Sequence, residues 1–189
     1  MKRLRFVLLL GLVGWALSAC GPGQPEVSQD KIRVLLQAAG EGDQQTLAEW
    51  LAAGGAPDVR NACGWTPLMR AAQGGHPALV KQLVQAGATV AAEDSGGYTA
   101  MLLAAARNHA ETVGYLLEQG AAIDHQEQTQ GWTALIWAAK RGYLETVKLL
   151  LARGADPKIQ DFSGKTALAW AKEQGHAKVA RVLSRTGEG

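Results

Sequence analysis

Residues 64–76 read GWTPLMRAAQGGH, and the pattern returns as GYTAMLLAAARNH at 97–109, GWTALIWAAKRGY at 131–143 and GKTALAWAKEQGH at 164–176. The offsets are 33, 34 and 33 residues. Self-similarity at that period signals stacked repeats, each of which contacts only its neighbours. Thr66, Thr99, Thr133 and Thr166 stand where a hydroxyl accepts from free backbone N–H groups at a helix start, and Pro67 follows at the first helical position, where a missing N–H costs nothing. Leu68, Ala71 and Ala72 form a stripe at helical spacing, repeated as Met101, Ala104, Ala105 and Leu135, Ala138, Ala139. Small alanines let neighbouring helices approach closely. A second helix is predicted from His76 and Pro77, carrying Val80, Leu83 and Val84, repeated as Val113, Leu116, Leu117 and Val147, Leu150, Leu151. Gly87, Gly120 and Gly154 end it as glycine C-caps. Two helices with one apolar side cannot bury it alone, so the copies must stack into a continuous core.

A divergent earlier copy keeps Ala38, Ala39, Gly42, Leu47, Leu51 and Gly54 in register. The expected division is 31–63 for this N-terminal capping repeat, then 64–96, 97–130 and 131–163 for three full repeats, and 164–189 for a C-terminal cap and tail. Lys172 replaces the second alanine of the last unit and Ser184 an apolar residue of its second helix, so polar groups meet water there. With its T-P-L start, paired alanines, G-H turn and G-A exit, the body resembles the ankyrin repeat family. The resemblance implies an all-α solenoid of helix-turn-helix units joined by hairpin-like loops, about five repeats including the two caps. Two departures stand out. The His that commonly follows T-P-L and ties loops together is Met69, Leu102, Ile136 and Ala169 here, so loop-to-loop bonding falls to other groups. The 34-residue unit carries its extra residue within HQEQTQ.

Ahead of the repeats, Lys2, Arg3 and Arg5 precede an apolar run from Phe6 to Leu17, followed by Ser18, Ala19 and Cys20. That order of basic head, short apolar run and small residues is a secretory signal, and the run is shorter than the roughly 18–20 residues a membrane-spanning helix needs. Leu17, Ser18, Ala19 and Cys20 resemble the bacterial lipobox, which implies cleavage after residue 19 and a lipid on Cys20. Ordinary signal cleavage leaving a free thiol is the alternative. Gly21 lacks the Asp associated with inner-membrane retention in enteric bacteria, so the expected site is periplasmic, on the inner leaflet of the outer membrane. Residues 20–30, rich in Gly, Pro and polar groups, read as a tether that reaches at most about 33–36 Å.

Removal of residues 1–19 leaves 16 basic and 17 acidic side chains, a net charge of −1. No electrostatic footprint for nucleic acid remains. Charge is uneven: residues 20–130 hold 6 basic and 12 acidic groups, and 131–189 hold 10 and 5. With Cys20 acylated, Cys63 has no partner in the chain, and no neighbouring His or Asp activates it.

No phosphate loop, nucleophile elbow, zincin helix or cofactor motif is present. His76, His109 and His176 recur at one place, where the turn before the second helix explains them; equivalent positions in stacked repeats form a line rather than a metal cage. Asp124, His125 and Glu127 in the long loop form a weak metal pattern. Surface therefore carries the functional expectation. By resemblance, such domains bind proteins through loop tips and the exposed side of the first helices. Trp65, Tyr98, Trp132 and Lys165 follow the leading glycines, and this row reads either as a binding face or as cover for neighbouring loops. Gln73, Arg107, Lys140 with Arg141, and Glu173 with Gln174 are expected along the same concave side, while Trp137 and Trp170, one turn further in, read as packing residues. The basic middle of that side favours a partner with an acidic patch. The expectation is a non-enzymatic interaction module, held to the membrane by lipid on Cys20, that binds or inhibits a protein partner. The contrasting expectations are a ligand, metal or catalytic role for the loop 124–130 and a purely structural envelope protein.

Overall fold

The computed structural model describes residues 27–186; the signal segment, Cys20 and most of the proposed tether lie outside the described residues. Among the described residues ten helices run in five consecutive pairs: α1 (Gln29–Glu41) with α2 (Gln44–Ala52), α3 (Pro67–Gly74) with α4 (Pro77–Gln85), α5 (Ala100–Ala105) with α6 (Ala110–Glu118), α7 (Ala134–Arg141) with α8 (Leu144–Ala152), and α9 (Ala167–Glu173) with α10 (Ala177–Thr186). Odd-numbered helices pack on one another in chain order; from α4 onward the even-numbered helices pack likewise in a second row. Among the described residues the only β-pairing outside the helices is an isolated bridge between Gln160 and Thr166. Helix α1 starts at Gln29, inside the stretch read as tether, because Ser28 caps it by accepting from the Lys31 N–H at 3.3 Å.

Local chemistry accounts for each pair. The hydroxyls of Thr66, Thr99, Thr133 and Thr166 accept from the N–H groups of Met69, Leu102, Ile136 and Ala169 at 3.2–3.3 Å, which starts α3, α5, α7 and α9. Ala71, Ala72, Ala104, Ala105, Ala138 and Ala139 are wholly buried, as the close approach of the odd-numbered helices requires. Val80, Leu83, Val113, Leu116, Val147 and Leu150 are equally buried, whereas Val84, Leu117 and Leu151 lie half-buried at the edge of the core. Of the four positions where the resemblance leads one to expect His, Met69, Leu102 and Ile136 are buried and join this face of the first helices to the core, while Ala169 in the last unit is half-buried.

Helices α4, α6 and α10 are tied to the preceding unit through the His ahead of each. The rings of His76, His109 and His176 bond the carbonyls of Gly40, Gln73 and Lys140 at 2.9, 3.1 and 3.1 Å. The turn glycine of the preceding unit, on which each ring packs, has no room for a side chain: a Cβ on Gly42 or Gly142 would lie 2.5 or 2.6 Å from His76 or His176, and one on Gly75 closer still to His109. Tyr143 replaces the His in one unit, and there the preceding unit carries Asn108 at φ 63°, bonded at 2.9 Å by the Thr146 hydroxyl. Asn tolerates the left-handed conformation better than most side chains, and no ring crowds it.

Candidate functional site

The loops between pairs form projecting fingers, and backbone bonds join finger to finger. Ser95, Gln128 and Phe162 donate their N–H groups to the carbonyls of Cys63, Gly96 and Gln130 at 2.8–2.9 Å. These bonds do the work expected of groups other than the missing histidines. Within each finger one side chain gathers the loop. Asn61 Oδ1 accepts from the N–H groups of Cys63 and Trp65, each at 3.0 Å, and Asp94 Oδ1 accepts from those of Gly96 and Tyr98 at 2.8 and 2.9 Å.

The long finger uses Glu127 for the same task, and its carboxylate is fully buried. One oxygen accepts from Gln130 and Trp132 N–H at 2.8 and 3.0 Å, and the other from the Thr129 N–H and hydroxyl. The extra methylene of Glu over Asp spans the extra residue of the loop. Burial alone pushes this carboxyl up, but the bonds from the Thr129 hydroxyl and the three N–H groups outweigh it and hold the group below its ordinary value. Asp124 accepts from the Asp156 N–H, and the His125 ring bonds the Gly97 carbonyl at 2.8 Å. The three residues of the candidate metal pattern thus serve three separate loop contacts. Among the described residues no group of three His, Cys, Asp or Glu side chains is placed to hold a metal ion.

In the last finger Asp161 performs the task and adds a second. Its Oδ1 accepts from Ser163 N–H and hydroxyl and from Lys165 N–H, while Oδ2 accepts the indole N–H groups of Trp132 and Trp170 at 2.9 and 2.7 Å. Burial pushes this carboxyl up as well; the hydrogen bonds from Ser163, Lys165, Trp170 and Trp132 outweigh it and hold it far below the carboxylate range.

Two rings held by one carboxylate form the centre of an aromatic and cationic cluster. Trp132 and Trp170 meet edge to face with centroids 5.8 Å apart, and Trp137 meets Trp132 at 4.6 Å and 90°. The Lys140 ammonium lies 4.5 Å from the Trp132 centroid and 3.6 Å from that of Trp170. Lys165 lies 4.2 Å from Trp170 and bonds Glu173 at 2.5 Å, and the Arg141 guanidinium covers Trp137 at 5.5 Å. Such cation–π contacts contribute about 0.5–2 kcal/mol each and hold long side chains in place.

Of the predicted face, the structure therefore brings Trp132, Lys140, Arg141, Lys165 and Glu173 together around Trp137 and Trp170. Trp65 belongs to a separate group: Arg70 stacks over its ring at 5.5 Å and donates to Gln73 at 2.8 Å, beside an open groove of about 720 Å³ lined in part by Arg33, Leu36 and the exposed Cys63. Tyr98 stands between the groups, its hydroxyl 3.2 Å from Thr129 Oγ1 and pushed up by burial and by the Glu127 carboxylate. Arg107 and Gln174 are exposed at helix ends. Sequence reasoning missed the loop-gathering role of Asn61, Asp94, Glu127 and Asp161, although an available signal marks it: an Asn or acid three residues before each leading glycine, or four in the long unit. It also missed Phe162, whose ring is 69% exposed at a finger tip.

The family profile described as "Ankyrin repeats (3 copies)" matches residues 35–127 and 119–188. The chain belongs to the ankyrin repeat family, and its repeats constitute a protein–protein interaction module. A comparison with curated proteins returns no match.

Proposed function

We propose that the chain is a non-enzymatic module, tethered by lipid on Cys20 to the periplasmic face of the bacterial outer membrane, that binds and holds or inhibits a protein partner through its finger tips and the concave side of its first helices. The observation that carries the reading is the half-buried row Trp65, Tyr98, Trp132 and Lys165, each placed between a finger and a helix cap, with cations stacked against both Trp65 and Trp132. Rigid rings and pre-placed cations are the groups that dominate protein interfaces. Arg107, Lys140 and Arg141 make the middle of the row basic, which favours an acidic partner surface and faster encounter with it. The tether reading is supported by Leu17, Ser18, Ala19 and Cys20 behind a basic head and short apolar run.

Two experiments test this. Mass spectrometry of Cys20→Ser should show loss of acyl mass, with the protein leaving the membrane fraction; an unchanged membrane fraction and no acyl mass on the wild type would sink the tether. Crosslinking and affinity capture from native envelopes should return a protein with the wild type and lose it with Arg107→Ala, Lys140→Met, Arg141→Ala. Trp132 is left in place because its indole N–H is bound to Asp161. Failure of both chains to return any partner would remove the binding reading.

A further inference from the structure

We infer that the interface is centred on the junction of the 131–163 and 164–189 repeats, and that the partner segment it takes presents a carboxylate beside an apolar side chain. The inference rests on the interaction-module reading above and adds the place and the chemistry. Lys140 is the anchor. Two indole faces hold its ammonium, yet an aromatic face orients a cation without neutralising it, and among the described residues no carboxylate pairs with Lys140. Asp161 behind the rings is fully engaged by five donors, and Glu173 is bonded to Lys165. An indole whose N–H donates to a carboxylate is richer in electrons, which strengthens its hold on a cation. A partner carboxylate therefore meets an ammonium whose side-chain freedom is already lost, and much of the ordering cost of binding is avoided.

Phe162 supplies the apolar half. Its ring lies against Gly131, so close that a Cβ there would stand 2.6 Å from it, and Gly131 is the residue before Trp132. Asp161, the residue before Phe162, holds the Trp132 indole, so the exposed ring stands one residue along each segment of chain from that contact. The fold does not require a ring at this finger position: the equivalent residues are Ala62, Ser95 and Gln128, and the finger-to-finger bond uses only the backbone N–H of residue 162. Among the described residues Phe162 and Val34 are the large apolar side chains left exposed, and Val34 lies on α1, away from this junction. The Trp65 group suits a carboxylate less well, because Arg70 already donates to Gln73 and to the Leu36 carbonyl and the groove beside it is shared by the carboxylate of Asp30.

The test is selection of a random twelve-residue display library on the full-length protein, purified in detergent from membranes. Enriched peptides should carry Asp or Glu within a few residues of an aromatic or aliphatic side chain. Their affinity should fall about tenfold or more on Lys140→Met, which keeps the aliphatic stem between the rings, and on Phe162→Ser, and stay within about twofold on Arg70→Ala. Peptides without acidic residues, affinities indifferent to Lys140→Met and Phe162→Ser, dependence on Arg70 instead, or enrichment no greater than on the double variant would each overturn the inference. The capture experiment above can still succeed in all four cases, so the two readings fail separately.

Discussion

The buried carboxylate of Asp161 accepts the indole N–H of Trp132 at 2.9 Å, 29 residues away at the other end of the same repeat. The same oxygen accepts from Trp170 across the boundary to the following repeat, so one atom links both ends of one unit to the first helix of the next. Asp161→Ala would strand these donors in a half-buried setting. The expected loss is about 2–4 kcal/mol, as for other broken buried networks. Urea unfolding followed by tryptophan fluorescence reports it directly, and a loss below about 1 kcal/mol would contradict the role assigned to the carboxylate.

Acid should undo the same bonds. Asp161 and Glu127 both have folded-state values below the ordinary ones, because hydrogen bonds from loop donors outweigh their burial. A group depressed in this way contributes stability that is complete above its unfolded value, about 4, and is lost as pH falls through its folded value. Stability should therefore decline from about pH 5 towards pH 2. Asp161→Asn should be less stable at neutral pH and show a shallower decline; thermal melts across this range measure both. An acid limb as steep as that of the wild type would assign the pH dependence to other groups.

The long finger offers a reciprocal test. Glu127 fits a loop with one additional residue, so Glu127→Asp should leave the Gln130 or Trp132 N–H short of its acceptor. Deletion of Gln130 alone should crowd the longer side chain. Each single change is expected to cost about 1–2 kcal/mol, and their combination restores the D-x-x-G form of the neighbouring fingers and should recover at least half of the summed loss. Simple additivity in denaturant melts would show that the two lengths are not matched to each other.

The turn glycines make a sharper contrast. Gly142 adopts φ 75° with His176 of the next unit packed on it, while Asn108 adopts φ 63° and the next unit carries Tyr143 in place of that His. Gly142→Ala should cost about 2–3 kcal/mol, combining left-handed strain with displacement of the His176 ring from the Lys140 carbonyl. Asn108→Gly should lie within about 1 kcal/mol of the wild type, since relief of strain offsets the lost Thr146 bond. Equal effects at the two positions would remove the proposed link between Gly and His.

How much of this was legible in the sequence depended on range. Threonine caps, alanine stripes and glycine exits act within one unit, and Thr66, Ala71 and Gly87 take the places their spacing predicts. Val84, Leu117 and Leu151 satisfy the same periodicity but sit at the edge of the core, because burial depends on how far the next repeat covers the helix. Asp124, His125 and Glu127 look like ligands in one dimension, and the bonds that occupy them run to residues in three other positions. The Lys140 site was hidden for the same reason: Trp132 and Trp170 lie 38 residues apart and converge only after stacking.

Stacking itself can be broken at one atom. Ala105 is fully buried in α5, which packs on both α3 and α7, so a longer side chain there has no void to enter and a carboxylate has no water to keep. Ala105→Glu is expected to cost more than about 4 kcal/mol. Each repeat contacts only its neighbours, so failure of the central unit should uncouple the two ends rather than weaken all units alike. The expected melt is lower and less cooperative, with the Trp132–Trp170 fluorescence signal departing from the far-ultraviolet circular dichroism. Arg107→Glu, two residues on and exposed, is the control and should stay within about 0.5 kcal/mol of the wild type. A single unshifted transition for Ala105→Glu would refute the register in which the alanine pairs hold the repeats together.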